Sequence, residues 1–153
     1  MASALDDCTA GEQLLAIEVQ RSAGETESKC VQCRKAMGQL TTHVLDIRGG
    51  LPAAGVRIEL FELSEAASKL LVSTATGKDG RCSAPLIAGA DFRAGRYALT
   101  FHLADYFRNL GIELPDPAFI EEAVIRIGIA KPNEHYHVPL LISPWSYSVY
   151  RGG

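Results

Sequence analysis

From Gln39 onward, hydrophobic residues alternate with polar ones in short runs, and turn residues separate the runs at close intervals. Alternation with period two points one face of each run at a core, so this stretch predicts an antiparallel sandwich or barrel. The first run is Leu40 to Ile47, bounded by Gly49 and Gly50, and Gly55 opens a second in which Val56, Ile58 and Leu60 share a face. Leu70 to Thr76 is a third; the Gly77-Lys78-Asp79-Gly80 behind it holds an Asp-Gly hairpin signal that turns the chain back through Arg81. Gly95 opens a run with Tyr97, Leu99 and Phe101 on one side, and Ala104 to Leu110, stopped by Gly111, predicts one short helix. Glu122 to Ala130 is a long strand with Ala123, Ile125, Ile127 and Ile129 on one face, and Tyr136 to Ser143 is the last strand.

The first 38 residues lack this patterning. Ser22 to Lys29 has nothing to bury, and only Glu12 to Arg21, through Leu14, Leu15, Ile17 and Val19, suggests a short amphipathic helix. The expected organisation is a flexible extension over 1–38 and one domain over 39–153.

Composition narrows the class of function. The chain has 153 residues, 47% hydrophobic and 22% charged, enough for one globular core. A formal net charge of −3 excludes the positive field that phosphate backbones and anionic membranes require, so no nucleic acid and no membrane partner is expected. No apolar run reaches the roughly 20 residues that span a bilayer, and Asp6 and Asp7 stand where a secretory leader is basic. The expectation is a soluble, unexported chain in the cytoplasm, with the peroxisome as the alternative. Four cysteines are too few for a disulfide scaffold; Cys30 and Cys33 have the spacing of half a zinc site, but no second pair follows.

Four histidines, at 43, 102, 135 and 137, are the candidate chemistry. Strand parity sets Tyr136, Val138, Leu140 and Ile142 on the core face and His137, Pro139 and Leu141 opposite; it groups Thr41, His43, Leu45 and Ile47 on one face of the first strand. Both faces of that strand hold apolar residues, so its outer face is expected to be covered by a second subunit or a ligand groove. His43 and His137 could act as general bases with Arg81 stabilising negative charge. The same histidines, as His135-x-His137 plus His43, could instead offer three nitrogens to zinc. The plainer reading makes each a satisfied polar group and Arg81 a solvated turn residue. The ending Tyr150-Arg151-Gly152-Gly153 is either a frayed tail or a strand end held in a pocket.

Four segments in order change these weights: Leu40-Thr41-Thr42-His43-Val44-Leu45-Asp46, Gly77 to Arg81, His135 to Pro144, and Tyr147-Ser148-Val149-Tyr150-Arg151-Gly152. Together they resemble the transthyretin-related 5-hydroxyisourate hydrolases of urate breakdown, over about three quarters of the chain. The resemblance implies an all-β, transthyretin-like sandwich of two four-stranded antiparallel sheets with one short helix. It also implies a homotetramer, a dimer of dimers, whose paired sheet faces enclose a channel holding the active sites. The substrate implied is a small purine derivative, 5-hydroxyisourate, hydrolysed to the ureidoimidazoline with no cofactor and no metal. Carried over by position, catalysis falls to His43, Arg81 and His137, and substrate binding to Tyr150, Arg151 and Gly152, with Arg151 adding charge for the anionic substrate. Hormone-carrying transthyretin lacks these histidines and this ending. One departure is Gly153 where the family has serine, a loss on the order of 1 kcal/mol if that hydroxyl makes one hydrogen bond. Pro139 is the other oddity, since a proline within a strand donates no ladder bond.

Overall fold

The computed structural model describes residues 38–152, so the Glu12 to Arg21 helix, Cys8, Cys30, Cys33 and Gly153 lie outside the described residues. Nine strands are found among them: β1 Gln39–Asp46, β2 Leu51–Pro52, β3 Arg57–Leu63, β4 Ser68–Ala75, β5 Ile87–Ala88, β6 Gly95–His102, β7 Glu122–Ile129, β8 His135–Ser143 and β9 Ser146–Val149. A single α-helix, α1 Leu103–Asn109, separates β6 from β7.

The strands form two sheets, β2-β1-β8-β9 with β5 also beside β1, and β4-β3-β6-β7. The alternation read from sequence is what lets them face each other. Leu40 and Val44 of β1 and Leu140 and Ile142 of β8 meet Ile58 and Leu60 of β3 and Leu99 and Phe101 of β6, all at 0% exposure. Each such side chain contributes about 1.5–3 kcal/mol by leaving water, which makes this inter-sheet layer the main stabilising element. At the end of β1, buried Asp46 accepts the Arg48 N–H at 2.9 Å and the Tyr106 hydroxyl at 3.4 Å, tying α1 to the first sheet.

The expected transthyretin-like sandwich with one short helix is present, and three details differ from the expectation. First, β1 and β8 pair in parallel over eight register positions, from Gln39↔His135 to Asp46↔Ile142. A parallel pair needs a long connection, and here most of the chain supplies it. Second, the Gly77–Arg81 turn closes no hairpin. β4 is an edge strand paired with β3, and the turn instead carries the chain across to β1 in the other sheet. Third, β8 is not the last strand. Ser143 Oγ accepts the Ser146 N–H at 3.0 Å and turns the chain tightly into β9, which returns antiparallel to β8.

Candidate active site

Parity places the site. In β1, Leu40, Thr42, Val44 and Asp46 are buried in the sandwich and Thr41 and His43 stand half-buried on the outer face; in β8, His137 is half-buried between buried Tyr136 and Val138. The parallel register sets Thr41 directly opposite His137 and His43 opposite Pro139, so His43 is a diagonal neighbour of His137.

Arg81 arrives along the other side of β1. The Val44 N–H donates to the Gly80 carbonyl at 2.9 Å, and Arg81 forms a backbone bridge with His43. Gly80 must be glycine here. Its φ is +74°, and a Cβ would collide with the Val44 carbonyl oxygen and lie 3.1 Å from His43 Cδ2. The Asp79 carboxylate accepts the Arg81 N–H at 3.1 Å, which holds the turn that presents the guanidinium. Arg81 and His137 therefore line one cavity of about 470 Å³, together with Thr41, Cys82 and His135. His43, bridged to Arg81 through the backbone, is not among the residues lining that cavity, and its Nε2 is buried with no hydrogen-bond partner among the described residues. A buried ring nitrogen left unpaired is unfavourable for folding.

The electrostatics favour a neutral His137. Burial pushes its imidazole below the usual range, and the cationic Arg81 with the His135 and His43 rings pushes the same way, against a hydrogen bond that the ring donates to the Thr41 backbone. A neutral imidazole in a half-buried cleft can accept a proton at neutral pH. Burial, followed by the nearby Asp79 charge, raises the Cys82 thiol and keeps it protonated.

The C-terminal tail closes a second side of His137. β9 pairs with β8 up to Leu140↔Val149, and the ladder resumes at a bridge where the Gly152 N–H donates to the His137 carbonyl at 2.9 Å. Pro139 sits opposite the interruption, which explains how a proline is accommodated within this strand. The tail is thus a strand end held in place up to Gly152. A Cβ on Gly152 would lie 2.8 Å from His137 Cδ2, so this glycine lets the backbone lie against the imidazole. Tyr150 and Arg151 line a separate cavity of about 420 Å³ that shares His137 with the first. The Arg151 guanidinium is engaged locally: it donates to Glu134 at 3.1 Å and stacks over the Tyr136 ring at 4.5 Å. Lys131 and Arg151 hold the exposed Glu134 carboxyl below its usual range.

Among the described residues, no set of three or more His, Cys, Asp or Glu is disposed to hold a metal ion. His135 Nε2 and His137 Nδ1 both turn toward the Thr41 hydroxyl, at 3.0 and 2.8 Å. His102, the fourth histidine, lies away from the site on the second sheet, between Glu59 and Glu122. Thr41 and Cys82 were not singled out by sequence. For Thr41 the signal was available, since it shares the outer face of β1 with His43; for Cys82 the only cue is that it follows Arg81.

A family model described as the HIUase/Transthyretin family matches residues 40–152. The chain is 53% identical over 116 residues to a 5-hydroxyisourate hydrolase of Pseudomonas aeruginosa, covering 76% of this chain and 92% of that relative. Among solved structures, the 5-hydroxyisourate hydrolase of Klebsiella pneumoniae superposes with a TM-score of 0.64 at 35% identity, covering 76% of this chain and all of that one. An (S)-allantoin synthase superposes with a TM-score of 0.73 at 42% identity over 77% of this chain, which spans only 44% of that protein.

Proposed function

The chain belongs to the HIUase/Transthyretin family, and from that premise we propose that it hydrolyses 5-hydroxyisourate to 2-oxo-4-hydroxy-4-carboxy-5-ureidoimidazoline. The observation that supports this reading most is the convergence of Arg81 and His137 on one cavity, with His43 bridged to Arg81 next to it, from three segments far apart in sequence. Water held by His43 and His137 loses a proton to an imidazole as its oxygen adds to a ring carbonyl of the substrate. Arg81 stabilises the oxyanion of the tetrahedral adduct: the turn holds its backbone beside His43, and its guanidinium, with no carboxylate among the described residues to neutralise it, meets the developing charge. Collapse of the adduct breaks the ring C–N bond, and the imidazole returns its proton to the leaving nitrogen. The chemistry is hydrolytic throughout and moves no electrons to an acceptor.

Tyr150 and Arg151 line the neighbouring cavity and meet the site only at His137, which the two cavities share, while Gly152 seats the tail on that ring. Since Arg151 is paired with Glu134, its field reaches the substrate from behind a neutralising partner. The catalytic unit is assigned to residues 39–153, and 1–38 to an extension. The active assembly is a homotetramer. The half-buried outer face of β1 and β8, and the exposed Trp145, Tyr147 and Val149 at the β9 edge, are the surfaces that assembly would cover. Among the described residues no helix is long and apolar enough to cross a membrane.

The test is direct. 5-Hydroxyisourate generated freshly by urate oxidation should lose its absorbance faster with the protein than without it. Arg81→Gln and His137→Ala should each lower kcat by about 100-fold or more. Decay at the spontaneous rate in the presence of the wild-type protein would instead mark a carrier.

A further inference from the structure

Thr41 and His135 have no role in the mechanism above, yet Thr41 engages Nδ1 of His137 and His135 engages Thr41. Because β1 and β8 run parallel in register, Thr41 stands opposite His137 and diagonal to His135, with all three side chains on one face. Its Oγ1 lies 2.8 Å from His137 Nδ1 and 3.0 Å from His135 Nε2.

A hydroxyl has one proton to give and lone pairs to accept with, and a neutral imidazole has one donor and one acceptor nitrogen. With Nδ1 of His137 engaged by Thr41, only Nε2 remains to take a proton from water. Nε2 can accept only when the ring proton is on Nδ1, and Nδ1–H then donates to Thr41 Oγ1. The Thr41 proton in turn has His135 Nε2 as acceptor, which fixes His135 as the Nδ1–H tautomer. The three groups form one hydrogen-bond chain with two possible directions. The direction from His137 to His135 leaves His137 able to act as a base, and the reverse direction puts a proton on its Nε2 and disables it. Burial first, then the charges of Arg81, His135 and His43, keep that ring neutral without choosing between its tautomers.

We infer that Thr41, backed by His135, is a positioning residue that holds His137 as its Nδ1–H tautomer and so makes Nε2 the catalytic base. The inference rests on the proposed hydrolase reading, in which His137 acts on water. It assigns the two histidines of the His135-x-His137 pair different duties, one reacting and one directing.

The experiment uses full-length protein labelled with ¹⁵N-histidine. The expected spectrum has His137 protonated on Nδ1 at neutral pH, and Thr41→Val, which keeps the β-branched shape, should abolish that preference. The same variant should lose kcat by about tenfold or more, since an imidazole in the wrong tautomer cannot accept the proton. Thr41 also lines the cavity, so KM is measured beside kcat, and the tautomer in the spectrum separates positioning of His137 from a lost substrate contact. Thr41→Ser should restore both tautomer and kcat, and His135→Phe, which removes the acceptor, should reproduce the loss. A wild-type spectrum with His137 protonated on Nε2 overturns the inference without any variant. An active wild type with unchanged kcat in Thr41→Val overturns it as well. Failure of the wild type to hydrolyse 5-hydroxyisourate sinks the functional reading, while the spectrum still decides the tautomer.

Discussion

Replacing Gly80 by alanine probes the joint on which the site depends. The residue holds φ at +74°, and left-handed backbone disfavours an L side chain by about 1–2 kcal/mol. The new Cβ would also meet the Val44 carbonyl oxygen and Pro52 Cβ, the latter at 3.1 Å. That carbonyl already accepts the Ala53 N–H at 2.9 Å, and the Val44 N–H donates back to Gly80, so neither side can yield without breaking a backbone hydrogen bond worth about 0.5–1.5 kcal/mol. Together the two effects should destabilise the fold by about 2–3 kcal/mol. Gly111→Ala is the matched control, since Gly111 has the same φ of +74° with nothing within 4 Å of an added methyl group, and it should show the strain alone. Urea unfolding of both variants at equal protein concentration gives the difference, which should be about 1 kcal/mol. Activity separates them further. Arg81 is the next residue and the His43 ring is 3.1 Å from the new methyl, so a shift of about 1 Å should lower kcat/KM by about 100-fold in Gly80→Ala and leave Gly111→Ala near wild type. Equal destabilisation of the two variants, with Gly80→Ala hydrolysing at the wild-type rate, would refute the claim that this turn positions the site.

Gly152→Ala should act on catalysis with little effect on folding. Its methyl would press on His137 Cδ2 from 2.8 Å, and a single backbone bridge is all that ties Gly152 to β8, so kcat/KM should drop about tenfold while the unfolding free energy changes by less than about 1 kcal/mol; steady-state kinetics beside urea melts check both halves. The pH dependence follows from the lowered His137 imidazole, an effect first of burial and then of Arg81, His135 and His43. Because its folded value lies below the ordinary 6.5, the unfolded chain binds the proton more readily. This group's share of stability is therefore complete above that ordinary value and is lost as pH falls through the folded one. Unfolding free energies measured from about pH 7.5 to about pH 5 should fall less steeply in His137→Gln than in wild type. The acid limb of kcat/KM should lie below the ordinary imidazole value and move upward in Arg81→Gln; a limb that stays put would remove Arg81 from the neighbourhood of His137.

The faces of the strands were legible in the sequence because period-two alternation is a local property. Tyr136, Val138, Leu140 and Ile142 read as core and are buried, and His137 reads as outward and is half-buried. What alternation does not contain is the partner of a strand. Nothing between Gln39 and Asp46 announces that β8, some 96 residues on, will lie parallel to it in a register that puts Thr41 against His137. The Asp-Gly turn was ambiguous for the same reason. Its local geometry suits a hairpin, and what recruits it to the other sheet is the Val44 N–H, a donor on β1 that the Gly80 carbonyl satisfies.

Arg151 extends that distinction from backbone to charge. Read along the chain it is a free cation near the end, available to an anionic substrate. In the fold it meets Glu134, 17 residues earlier, at 3.1 Å and the face of Tyr136 at 4.5 Å. An exposed ion pair of this kind is screened by solvent and adds little to stability, so its main consequence is orientation. The pair and the stacking together hold the tail at the residue before Gly152, and Gly152 is the residue whose missing side chain leaves room for the His137 ring. In this arrangement the terminal arginine acts on the reaction mainly by locating the glycine beside it, while the charge that meets the developing oxyanion comes from Arg81, whose guanidinium has no carboxylate partner within ion-pair distance among the described residues.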